Sequence, residues 1–201
     1  MPFLLRVSLP DVPGSLGRVA SAIGEAGGDI EAIEIVAHGT DGTAVDDVLL
    51  ETAPGIMPDS IVSACTQLEG VRVLWINRYA AGGNLFLDLE AVEVLTAHPA
   101  QARNRLVGLL PITFRVDWAA WVRRDGSVVH ATDSAPEHLA WADTDRAARV
   151  PDGEDDSTVR CAVPLGDDLI VLGRRGGPEF LESELARLGH LVGLAETIGR
   201  G

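Results

Sequence analysis

The sequence predicts an α+β protein built from two domains. Three observations indicate this fold class: strand-like and helix-like segments alternate through the first eighty residues, small residues occupy positions 80–84, and a helix–sheet–helix pattern occupies the rest. With 201 residues and 46% hydrophobic content, the chain can bury two compact cores. We expect domains at residues 1–80 and 85–201, joined by a linker at residues 81–84.

The first domain alternates strands and helices in the order βαββαβ. Prolines and a glycine between residues 10 and 14 end the first strand, and Gly27 with Gly28 ends the first helix. The predicted elements are strand 3–9, helix 16–26, strand 29–37, strand 44–52, helix 58–68 and strand 71–75. Two helices on one face of a four-stranded antiparallel sheet satisfy this order, which is the ferredoxin-like arrangement.

The second domain follows a helix–sheet–helix order. The predicted elements are helix 87–110 with a break near His98 and Pro99, strands 114–122, 128–132, 159–163 and 169–174, and helix 179–198. This order resembles that of GAF and PAS-like sensory modules. The resemblance implies a GAF-like α/β domain with the smaller sheet, and a small-molecule pocket between that sheet and the polar segment 134–157.

The charge balance argues against nucleic-acid and membrane partners. The 16 basic residues face 30 acidic ones, which gives a formal net charge of −14, and phosphate binding needs a basic face. Every basic residue is arginine, so chemistry that depends on a lysine amine is excluded. Neither a signal peptide nor an apolar run of membrane-spanning length is present, so we expect a cytoplasmic protein.

No catalytic or metal-binding motif stands out, so we expect no catalytic residue, no metal, no cofactor and no enzymatic activity. Cys65 and Cys161 lie on apolar faces and are expected to be buried. His130, Asp133 and His138 lack the spacing of a known metal site. Residues 173–178 read Gly-Arg-Arg-Gly-Gly-Pro, which we interpret as a strand-to-helix turn rather than a phosphate loop.

The turn after the first strand has the chemistry of a small-molecule site. Gly14 lets a ligand approach the backbone, and the free N–H groups of the following helix favour a carboxylate. Asp11 offers a negative charge to an ammonium group. A site that favours a carboxylate and an ammonium group together suits an α-amino acid. Alternatively, Asp11 only caps the helix. The predicted contacts are Asp11, Val12, Pro13, Gly14 and Ser15.

The same stretch resembles a known family. Residues 11–16 read Asp-x-Pro-Gly-x-Leu, residues 19–23 read Val-Ala-x-Ala-Ile, and residues 27–30 read Gly-x-Asp-Ile, as at the start of an ACT domain. The resemblance implies a regulatory domain that binds an amino acid where two copies pair side by side. It implies further ligand contacts from Asp29 and Ile30 of the neighbouring subunit. Asp29 departs from the asparagine that amino-acid-binding members often carry.

These features predict a non-enzymatic regulator or sensor that forms a homodimer and binds a small amino acid. The alternative is a regulatory subunit that docks onto an enzyme of amino-acid biosynthesis through its C-terminal half.

Overall fold

The computed structural model describes residues 2–78, 84–151 and 157–200. The chain divides into two compact units, Met1–Gly82 and Gly83–Gly201. Residues 81–83 of the predicted linker lie outside the described residues, and the first helix of the second unit begins at Asn84. No helix of the described ranges is long and apolar enough to cross a membrane.

The first unit has the predicted βαββαβ order. Its elements are β1 (Pro2–Pro10), α1 (Ser15–Glu25), β2 (Gly28–His38), β3 (Thr43–Thr52), α2 (Pro58–Thr66) and β4 (Arg72–Arg78). The strands lie in the order β2-β3-β1-β4, and all neighbours are antiparallel. The ferredoxin-like expectation is therefore confirmed.

Both helices of this unit cover one face of the sheet. Val19, Ile23, Ile61 and Cys65 are fully buried against alternate residues of β1 and β3. Alternation along a strand places side chains on opposite faces, so the other residues of β1 belong to the second face. There Arg6 forms a two-pronged ion pair with the Asp47 carboxylate, with N···O distances of 2.7 and 2.8 Å.

The second unit has two helices, a sheet and a final helix. Its elements are α3 (Asn84–Ala97), α4 (Ala102–Phe114), β5 (Trp118–Val122), β6 (Val128–Ala131), β7 (Ala148–Val150), β8 (Thr158–Leu165), β9 (Asp168–Arg175) and α5 (Glu182–Ile198). A short 3-10 turn, Pro99–Gln101, separates α3 from α4 at the predicted break. The sheet order is β6-β5-β9-β8-β7.

Three details of this unit differ from expectation. Its sheet has five strands and is the larger of the two, because residues 148–150 add a short strand beside β8. The predicted strand 114–122 begins only at Trp118, since α4 continues through Pro111 to Phe114. The last helix begins at Glu182 rather than at Glu179.

Both faces of the second sheet are covered. The three helices pack on one face around Ala119, Cys161 and Leu172. On the opposite face Trp118 and Val171 pack with Leu139, Trp141 and their neighbours, which come from the segment before β7. The predicted pocket beneath that segment stays a prediction.

Candidate functional site

The turn that joins β1 to α1 is an exposed corner. Asp11, Val12, Pro13 and Gly14 are all exposed, and Val12 retains 56% of its accessible surface. The turn is held by three backbone hydrogen bonds: Asp11 N–H to Gly42 O at 2.9 Å, Val12 N–H to Pro10 O at 2.9 Å, and Ser15 N–H to Val12 O at 3.2 Å. The corner is therefore fixed by its own backbone while its outer surface stays open.

Gly14 keeps the corner open for a conformational and a steric reason. Its φ of 90° lies in the left-handed region, which residues with a Cβ rarely adopt. A Cβ built at this position would meet no heavy atom of the described residues within 4 Å, so the space in front of Gly14 is open. A ligand can reach the backbone here.

The first turn of α1 presents unsatisfied donors at this corner. In the described ranges, the backbone N–H groups of Leu16 and Gly17 donate no hydrogen bond. Helix N-termini carry such free donors together with the positive end of the helix dipole. No side chain caps the helix, so the alternative that Asp11 is only a helix cap is wrong.

Asp11 is instead paired with His38 at the end of β2. The Asp11 Oδ2 and His38 Nδ1 atoms are 2.9 Å apart, and the side chains are 49% and 64% exposed. This contact joins the Asp11 carboxylate to the end of β2, at the exposed edge of the corner. Sequence reasoning missed it because His38 lies 27 positions along the chain from Asp11, just after the predicted strand 29–37.

Asp46 is a second acidic group near the same corner. Only 2% of its surface is exposed, and its Oδ1 atom is buried without a hydrogen-bond partner. Burial raises the pKa of this carboxyl group, the charges of Asp11 and Asp47 raise the pKa further, and His38 lowers it. Sequence reasoning did not single out Asp46, although it occupies an apolar position of β3.

The other predicted ligand contacts, Ser15, Asp29 and Ile30, lie in different parts of the first unit. Ser15 is buried, and its hydroxyl oxygen accepts a hydrogen bond from Arg18 at 3.4 Å. Asp29 pairs with Glu51 and Ile30 with Leu50 at the start of β2. Glu51 in turn pairs with Pro2, the first residue of β1. Asp29 therefore lies at the opposite end of the sheet from Asp11, and one chain does not bring the two acids together.

The Gly-rich stretch 173–178 of the second unit has a structural role. A Cβ at Gly173 would lie 2.1 Å from the Trp118 ring, and one at Gly177 would lie 2.3 Å from the Arg174 side chain. The Arg174 guanidinium is buried and donates to the backbone oxygens of Phe114 and Arg115 and to Glu184. The Arg174 guanidinium therefore binds groups of the second unit itself, as expected for a structural turn.

Both cysteines are buried, which confirms the expectation for them. Cys65 and Cys161 have no accessible surface, and burial raises the pKa of each thiol. Neither side chain is an exposed thiolate. Across the described part of the chain, no group of three His, Cys, Asp or Glu side chains lies close enough together to hold a metal ion.

Comparison with known proteins identifies the unit that carries the exposed corner. Residues 3–56 match the family model of the ACT domain. Most of the first unit therefore resembles an ACT domain. The match covers β1, α1, β2 and β3, and hence the corner, Asp11, His38 and Asp46. A search of curated proteins found no match to this chain.

Solved structures resemble the chain only distantly. A free methionine-R-sulfoxide reductase from Neisseria meningitidis is 12% identical with a TM-score of 0.41, over 61% of this chain and 94% of that one. A formyltetrahydrofolate deformylase from Pseudomonas putida is 10% identical with a TM-score of 0.32, over 53% of this chain and 39% of that one. A protein assigned as a glycine cleavage system transcriptional repressor is 10% identical with a TM-score of 0.33, over 92% and 85%. At these scores the resemblances do not bear on function.

Proposed function

We propose that the ACT domain of this protein binds a free amino acid at the corner between β1 and α1, and that the protein is a regulator rather than an enzyme. The observation that carries the proposal is the open corner at Gly14, where unsatisfied backbone donors lie beside an exposed carboxylate. This combination occurs within a family-matched domain.

Each end of an α-amino acid has a counterpart at the corner. The N–H groups of Leu16 and Gly17, at the positive end of α1, suit the carboxylate of the ligand. The carboxylate of Asp11 suits the ammonium group, with which it forms a charge-assisted hydrogen bond. Val12 and Pro13, both exposed, are left to contact the ligand side chain.

Two copies of the chain would complete the site. Both β1 and β2 run antiparallel to β3, so they are parallel to each other and their first residues lie at the same end of the sheet. Two sheets placed side by side and antiparallel along β2 bring the start of one β2 beside the end of the other. Asp29 and Ile30 of the second copy then lie beside His38 and Asp11 of the first.

A ligand held between two copies has a regulatory consequence. It stabilises whichever arrangement of subunits closes around it, so its concentration sets the population of that arrangement. In this proposal the protein is a cytoplasmic homodimer, and its second unit transmits the change.

The test is a thermal melt of the full chain with each of the twenty amino acids. At least one raises the melting temperature of the wild type, because a ligand that binds only the folded state stabilises it. Asp11→Ala abolishes the shift. His38→Ala is the matched control, because it removes the contact with Asp11 but keeps the Asp11 carboxylate, and the shift persists. If no amino acid shifts the wild type, the proposal is wrong.

A further inference from the structure

Asp46 is a buried acid that the first unit leaves unexplained. Its neighbours on the same face of β3 are Ala44, Val48 and Leu50, all nearly inaccessible to solvent. A carboxylate in such a row loses its hydration and is expected to gain a partner in return. The Oδ1 atom of Asp46 has none among the described residues.

The strand register places this acid beside the corner. His38 lies directly opposite Ala44, so its side chain shares the face on which Asp46 lies two residues further along β3. His38 is in turn bonded to Asp11. Asp11, His38 and Asp47 act electrostatically on Asp46, and the two acids raise its pKa.

A protonated amine is the partner that fits this arrangement. It carries three donors on a compact positive charge, which is complementary to two carboxylates that interact electrostatically. A ligand that has a carboxylate but no amine gives Asp46 no favourable contact, because two carboxylates repel each other. A ligand that bears both charges can present its carboxylate to α1 and its ammonium to the two acids.

We propose that Asp46 makes the corner selective for ligands that carry a protonated amine, and that it accepts the ammonium group beneath Asp11. The inference rests on the proposed function, because it concerns the same site. It adds Asp46 on β3 to the predicted contacts. It also predicts that the corner prefers ligands with an amine over amine-free acids of the same shape.

Ligand binding is then coupled to protons. Burial raises the pKa of Asp46 in the free chain, so the carboxyl group keeps its proton to a higher pH than an exposed aspartate does. An incoming ammonium favours the ionised form and expels that proton. Affinity for the amino acid falls as the pH falls through the raised pKa.

The experiment uses isothermal titration of the full-length wild type, Asp46→Asn and Glu69→Gln. Glu69 is an exposed acid of the same unit, so Glu69→Gln controls for the loss of one negative charge. The probes are L-alanine with propionate and L-phenylalanine with 3-phenylpropionate, together with the amino acid that raises the melting temperature most and its amine-free acid. Magnesium chloride is titrated separately.

The wild type binds the amino acid about tenfold or more tightly than its amine-free acid, because only the amino acid forms a charge-assisted hydrogen bond with Asp46. Asp46→Asn loses that preference, and Glu69→Gln retains it. Repeating the titration at a series of acidic pH values, in buffers of different ionisation enthalpy, shows proton release for the wild type and less for Asp46→Asn.

The outcomes separate this inference from the proposed function. If an amino acid binds the wild type and Asp46→Asn keeps the full preference for the amine, the inference is wrong and the proposed function stands. If no amino acid binds the wild type, both are wrong. Binding of magnesium that depends on Asp46, in the absence of amino-acid binding, also overturns both.

Discussion

Arg174 holds together three segments of the second unit, so its replacement by methionine tests the packing of that unit. Its guanidinium donates to the backbone oxygens of Phe114, Arg115 and Pro178 at 3.0, 3.2 and 3.2 Å, and to Glu184 at 2.8 Å. It also lies 4.4 Å from the Phe180 ring centroid. Methionine keeps much of the aliphatic stem and removes every donor.

The magnitude follows from burial. The Arg174 side chain is 2% exposed and that of Glu184 is 12% exposed. Removing one partner of a buried ion pair costs about 3–5 kcal/mol, because the remaining charge stays buried without its counter-charge. Two of the carbonyls lie at the C-terminal end of α4, where a cation is favoured. We expect Arg174→Met to lower the free energy of unfolding by about 3–5 kcal/mol.

Urea unfolding followed by tryptophan fluorescence measures this change, since three of the four tryptophans belong to the second unit. With a slope of roughly 2 kcal/mol/M, the midpoint falls by roughly 1.5–2.5 M. Arg149→Met is the control: Arg149 pairs with Glu182 at 2.6 Å, but the side chains are 40% and 83% exposed, so the loss stays below about 1 kcal/mol. Equal losses in the two variants would refute the reasoning.

Three further predictions concern buried groups. Because burial raises its folded pKa, Asp46 destabilises the fold increasingly as the pH rises from the unfolded value of 3.8 through the folded one. Asp46→Asn should therefore match the wild type in urea melts at low pH and exceed it at pH 7, by about 1.4 kcal/mol per unit of pKa difference; equal stability at pH 7 would contradict this. Gly173→Ala should lower the melting temperature by several degrees, since its Cβ would overlap the Trp118 ring; an unchanged melt would show that the ring moves freely. Cys65 and Cys161 should react with a thiol reagent only on unfolding, so rapid labelling of either in the native protein would contradict their burial.

Local pattern was sufficient to predict most of the first unit. The helical spacing of apolar residues predicted α1 at 16–26, against Ser15–Glu25 in the structure, because the flanking glycines mark both ends. The first-loop corner was also predictable, since a proline and a glycine before a helix have a definite geometry. The pairing of Asp11 with His38 was not, because it joins residues 27 positions apart.

The second unit was predicted less well for identifiable reasons. Strand β7 has only three residues, too few for an alternation to show. Helix α4 continues past Pro111, where a proline ordinarily ends a helix, and its last turn is held by the arginine contacts described above. The burial of the Asp46 Oδ1 atom without a hydrogen-bond partner was beyond sequence reasoning, because it depends on what covers β3.

The most direct test of amino-acid binding at the corner is an amide NMR titration of the full chain with the amino acid that raises the melting temperature most. The account predicts that the Leu16 and Gly17 N–H signals shift and saturate together as the ligand carboxylate accepts their hydrogen bonds. A saturable titration in which these two signals stay fixed, while signals elsewhere move, would contradict the account.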